Sequence, residues 1–184
     1  MESTAARIIG WDLSVYAQNI VINKGGKDGI TKGQAVICHQ GLIGQIVDEP
    51  GRVITRDRAP VLMITDPTSR VSVIVDRTRD RAILQGVGRD DRMLLVYLPP
   101  DAKIEKGDEL STSGLGGIFP PGIKAGTVIK IEYNAMFGSV QGWVKPSVDL
   151  NHLEDVLVVM NKLSNPMQAT AETKAENMDA KNKN

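Results

Sequence analysis

An all-β chain built as two small six-stranded barrels in tandem, with little helix, follows from three features of these 184 residues. Short runs rich in Val and Ile recur along the chain, bounded by Gly, Pro, Asp or Asn. Two of them, "RVSVIVD" and "TVIKIE", alternate with the period-two pattern of a half-buried strand. A hairpin-like unit is used twice: "KGQAVI" from Lys32 is answered by "KGDELS" from Lys106. Each is followed by a glycine corner and a strand, "GLIGQIV" from Gly41 and "GIKAGTVI" from Gly122.

Taken in order, residues 1–14 read as the end of an N-terminal helix or linker, from "MESTAARII". The first barrel takes residues 15–68, with strands expected at Asn19–Asn23, Gln34–Cys38, Leu42–Val47, Val53–Thr55 and Val61–Thr65. Those runs need a sixth for closure, so residues 150–163 join them through the returning run Val156–Met160. The second barrel, residues 69–149, is inserted between these parts. Its strands are expected at Val71–Asp76, Ala82–Gln85, Met93–Tyr97, Glu109–Thr112, Thr127–Glu132 and Ser139–Val144. "VDLNHLEDV" offers one helical turn capped by Asp149. The tail, 164–184, has no aromatic, Val, Ile or Leu, so it cannot offset chain entropy and is expected to be disordered.

Composition narrows the function. Lys plus Arg equals Asp plus Glu at 22 each, and aromatics are 4%, so neither a basic nucleic-acid surface nor a base-stacking platform is supported. The single Cys38 permits no intramolecular disulfide, and its apolar run suggests a structural thiol. No apolar run of membrane-spanning length occurs, and the start lacks the basic and apolar parts of a signal peptide. The chain is thus expected to be cytosolic or a fragment without its targeting segment.

The segment Ser113–Gly126, "SGLGGIFPPGIKAG", holds five glycines and two prolines and raises three chemical possibilities. Phosphate binding needs a helix after the glycines, which Pro120 and Pro121 forbid. A chymotrypsin-like serine protease needs His, acid and Ser in that order, and the chain offers His39, Asp66 or Asp76, and Ser113. However, Ser113 lacks the glycine-acid-serine-glycine context of the oxyanion loop, and the other histidine, His152, reads as turn surface. One Cys and two distant His give no metal set, and no cofactor is expected. A recognition surface remains.

Three segments, "MITDPTSRVSVIV", "GDELSTSGLGGIFPPGIKAGTV" and "VDLNHLEDVLVV", together resemble the rod-shape-determining MreC family in order and spacing, over roughly Asn19 to Met160. The resemblance implies a non-enzymatic scaffold of the bacterial cell-elongation machinery that controls cell shape. It would bind and activate the elongation transpeptidase, a penicillin-binding protein, for peptidoglycan synthesis. It also implies association with MreD, with MreB through the membrane, and with itself as dimers or filaments. Family members are periplasmic and held in the inner membrane by an N-terminal span. That span is absent from this chain, which therefore reads as a truncated periplasmic fragment.

Within that frame, Leu115, Ile118, Phe119, Pro120 and Pro121 are the candidate partner-binding residues. Phe119, braced by two prolines, either anchors a partner or plugs its own barrel. Met136 and Phe137, at a hairpin tip, are candidates for self-association, the alternative reading being a self-assembling filament subunit. Asp66, Pro67 and Arg70, in "TDPTSR", are expected to form the hinge, with Arg70 bridging to a carboxylate of the neighbouring barrel.

Overall fold

The computed structural model describes residues 2–13, 16–89, 91–134 and 138–160. It contains twelve strands: β1 (Ser3–Leu13), β2 (Gln18–Ile22), β3 (Ala35–Cys38), β4 (Gly41–Ile46), β5 (Ala59–Met63) and β6 (Arg70–Val75), then β7 (Arg81–Gly86), β8 (Met93–Val96), β9 (Glu109–Thr112), β10 (Lys124–Asn134), β11 (Ser139–Pro146) and β12 (Asp155–Val159). They close two six-stranded barrels, ordered β1-β12-β3-β4-β5-β2 and β10-β11-β8-β7-β6-β9, with antiparallel pairing throughout. Helix among the described residues is one 3-10 turn, Gly26–Asp28.

Two segments differ from expectation. Residues read as a helix end or linker instead form β1. Its first half, Ser3–Arg7, pairs with Val159–Asp155 of β12, and its second half, Ile8–Leu13, pairs with β2 across a bulge at Ile9. Without β1 the facing edges of β2 and β12 would lose their backbone partners, a demand that outweighs the helical preference of "STAAR". The expected strand Val53–Thr55 is a loop. Asp48 accepts the Ile54 N–H at 3.1 Å and the Arg58 carbonyl accepts the Thr55 N–H at 2.9 Å, while Val53 lies exposed. "VDLNHLEDV" forms a turn, with the Asp149 carboxylate accepting the Asn151 N–H at 3.2 Å.

Each barrel is filled from alternate strand positions. Ile20, Ile22, Val36, Ile43, Ile46 and Val61 fill the first, and Val71, Val73, Val75, Leu84, Leu95 and Leu110 belong to the core of the second. That second core continues into the first barrel, taking in Ala35, Leu42, Ile64 and Val159. Leu42 and Ile64 are fully buried there, each contributing about 2 kcal/mol. The barrels therefore share one apolar body. Where they meet, Gly41 of β4 lies against Lys124 of β10, so close that a Cβ at 41 would overlap the Lys124 carbonyl oxygen.

Candidate interaction surface

The loop between β9 and β10 is tied at both ends by one buried residue, Thr112. Its backbone N–H donates to the Ile123 carbonyl and its carbonyl accepts the Gly122 N–H, each at 2.9 Å. Its hydroxyl donates to the Pro120 carbonyl at 2.5 Å and accepts the Ile123 N–H at 2.9 Å. Between these ties, Gly114, Gly116, Gly117 and Gly122 take φ of 79°, 83°, 71° and 85°, the left-handed region that a side chain disfavours. The result is a short loop held in one shape without regular pairing.

Its side chains divide cleanly. Phe119 is only 6% exposed and packs in the second-barrel core, so it fills its own barrel. Leu115 and Ile118 are 50% and 39% exposed, although both are apolar. Pro120 is half-buried and Pro121 exposed, and the Pro121 ring lies where a Cβ on Gly114 would come within 3.1 Å. The loop thus presents two aliphatic side chains on a brace of proline and buried aromatic, an arrangement suited to recognition without large ordering cost.

The serine-protease arrangement does not form. Ser113 Oγ is 2.7 Å from Ser72 Oγ and accepts the Leu115 N–H at 3.1 Å. Asp66 is buried, and its carboxylate accepts the Gln18 and Thr68 N–H groups and the Thr68 hydroxyl. Asp76 accepts the Ser111 hydroxyl at 3.0 Å. His39 lies exposed at the β3–β4 turn, joined to none of them among the described residues. His152 pairs instead with Asp149 at 2.8 Å, holding that carboxyl below the usual carboxylate range. No group of three or more His, Cys, Asp or Glu is placed to hold a metal among the described residues.

The link Thr65–Arg70 is tied by hydrogen bonds of its own residues and by close packing. Gly86 of β7 sits directly beneath it, where a Cβ would overlap the backbone of Thr65 and Asp66. The expected carboxylate partner of Arg70 is replaced by carbonyls of the link itself: Arg70 donates to Pro67 and Ser69, each at 2.8 Å. The guanidinium thereby caps its own turn. Met136 and Phe137 lie outside the described residues.

Two structural features carry no signal in the sequence. Thr112 carries no signal beyond its place before "SG", since its importance lies in which carbonyl its hydroxyl reaches. Tyr97, at the end of β8, is 81% exposed and has φ of 59°, a conformation uncommon outside glycine.

The same two-barrel body occurs in known proteins. Residues 8–160 match the family model described as rod shape-determining protein MreC, barrel core. The chain belongs to the MreC family. The cell shape-determining MreC of Haemophilus influenzae is 37% identical over 156 residues, 84% of this chain and 42% of that protein. The chain thus spans less than half the length of that relative. The crystal structure of MreC from Pseudomonas aeruginosa superposes with a TM-score of 0.79 at 34% identity, over 86% of this chain and 99% of that one. Two more distant structures share the fold. One is the major periplasmic domain from the cell shape-determining filament MreC, at TM-score 0.70 and 20% identity, over 85% of this chain and 94% of that one. The other is a complex between penicillin-binding protein PBP2 and MreC from Helicobacter pylori, at TM-score 0.61 and 20% identity, over 87% and 100%.

Proposed function

We propose that this chain is a non-catalytic, periplasmic scaffold of the cell-elongation machinery that binds the elongation transpeptidase and favours its active state. The observation that carries the reading is the tied β9–β10 loop, which holds Leu115 and Ile118 exposed on a fixed backbone. Membership of a cell shape-determining family supplies the process, and the Helicobacter pylori complex supplies the partner class. Activation in this reading requires that the barrels bind the active conformation of the transpeptidase more tightly than the inactive one. Self-association belongs to the same reading, supported by the filament described for a relative. Anchorage by an N-terminal membrane span and contact with MreD complete the proposed setting.

The test is binding of this chain to the purified periplasmic part of the elongation transpeptidase. Ser113→Ala is expected to bind as the native chain does, because among the described residues the Ser113 hydroxyl bonds Ser72 and its own loop. Leu115→Asp with Ile118→Asp is expected to weaken binding at least tenfold, about 1.4 kcal/mol. Covalent labelling of Ser113 by a fluorophosphonate, lost in His39→Ala, would overturn the scaffold reading.

A further inference from the structure

Strand β10 is longer than the neighbour on one of its sides. β9 pairs with it only at Lys124, Gly126 and Thr127, and the last backbone bonds on that side join Val128 to Gly107 and Asp108. Beyond that point β10 runs on past a bulge at Ile129, and Lys130–Asn134 are paired to β11 alone. Alternate N–H and C=O groups of an antiparallel strand point away from its single partner. No described strand or loop takes up those of residues 129–134. The same stretch carries exposed apolar side chains: Ile129 at 39%, Ile131 at 37% and Tyr133 at 69%.

We infer that this edge pairs with the same edge of a second copy, antiparallel about a two-fold axis through Ile131. The inference rests on the self-association reading above and assigns it a surface. The sequence "IKIEYN" is self-complementary in that register: Ile131 faces Ile131, Ile129 faces Tyr133, and Lys130 of each copy faces Glu132 of the other. Lysine on an edge strand ordinarily discourages pairing. Here Glu132, two residues on, supplies the opposite charge at the matching place. Within one chain the two already form an ion pair at 2.5 Å, so neither is buried elsewhere. Strand addition of this kind satisfies the open backbone groups while covering the three apolar side chains. No differently composed chain is required, because the edge is its own complement.

The experiment uses the whole chain in sedimentation velocity over a range of concentrations. Lys130→Glu alone puts acid against acid across both pairs, and Glu132→Lys alone puts base against base. Each is expected to weaken self-association about tenfold, two like-charge pairs each costing a factor of a few. An equimolar mixture of the two single variants is expected to regain association, because every cross-strand pair is then complementary. The intrachain ion pair stays broken in both partners of that mixture, so a change in the fold of one chain cannot produce the recovery. As a second measurement, Ile131→Cys in a Cys38→Ser chain should give an oxidised dimer, since paired Cα atoms lie ~4.5–5.5 Å apart, within disulfide reach. Association that ignores the single swaps, with no oxidised dimer from the Ile131→Cys chain, overturns this edge while leaving self-association standing. A chain that remains monomeric at every concentration overturns both.

Discussion

The Asp66 carboxylate accepts the backbone N–H of Gln18 at 2.8 Å, joining the inter-barrel link to β2 across 48 residues of chain. Its other oxygen accepts the Thr68 N–H at 2.8 Å and the Thr68 hydroxyl at 2.5 Å. One buried side chain therefore sets both the shape of the turn and its position on the first barrel. With Gly86 of β7 pressed against the same backbone, the link touches both barrels, β2 through Asp66 and β7 through Gly86.

Removing that carboxylate leaves the buried Gln18 N–H without its acceptor. Asp66→Ala is expected to lower stability by about 2 kcal/mol, read by urea unfolding. Asp66→Asn should recover only part of this, because one of its atoms presents a donor where an acceptor is needed. A loss for Asp66→Ala below about 0.5 kcal/mol would place it with ordinary surface changes and mean that this carboxylate does not hold the link on β2.

The barrel interface makes a second prediction through Gly41. Its missing Cβ leaves room for the Lys124 carbonyl, and neither backbone can withdraw without parting the barrels. Gly41→Ala should therefore cost about 3 kcal/mol. Gly51, with φ of 86° and open space around it, is the control for backbone conformation alone. Gly51→Ala should cost only about 1 kcal/mol. Equal losses at the two positions would show that backbone strain, not barrel contact, dominates.

Strands such as β6 and β10 were legible because Val and Ile alternate with polar residues over a stretch bounded by turns. β1 was not, because Ser3–Arg7 carries no such alternation and the bulge at Ile9 breaks the apolar period. Its strand state is imposed by two neighbours from distant parts of the chain. Val53–Thr55 misled in the opposite direction: it has β-branched residues, but no neighbouring strand takes up its backbone. In the β9–β10 loop, the glycines and prolines announced a fixed corner. They did not reveal whether Phe119 faced inward, since that depends on the Thr112 hydroxyl reaching Pro120 and Ile123.

The two faces of that loop separate stability from binding. Phe119→Ala empties a packed site and is expected to cost about 3–5 kcal/mol, visible in thermal unfolding. Leu115→Asp and Ile118→Asp alter exposed positions and should leave the melting temperature nearly unchanged. Their effect should instead fall on transpeptidase affinity. If Ile118→Asp lowered the melting temperature as much as Phe119→Ala, the exposed aliphatic pair would belong to the core.

The Arg77–Asp108 pair links the second barrel to pH. Asp108 has a side chain only 6% exposed, and it accepts Arg77 Nε at 2.7 Å, Arg77 Nη2 at 2.9 Å and the Glu105 N–H at 2.8 Å. These contacts, chiefly the Arg77 hydrogen bonds, hold its carboxyl below the usual carboxylate range. Above the unfolded-chain value near 3.9 the carboxylate is charged in both states, so the pair contributes its full stabilisation. As pH falls below that value the unfolded chain takes up the proton first. The contribution then shrinks and disappears once pH has passed through the lower folded value. Asp108→Asn, similar in shape but uncharged, should be less stable than the native chain by about 2 kcal/mol near pH 7. The gap should narrow toward about pH 3 because only the chain that keeps Asp108 takes up a proton at this position on unfolding. Urea unfolding of both chains across that range measures it, and a gap independent of pH would mean that shape rather than charge at Asp108 supports the barrel.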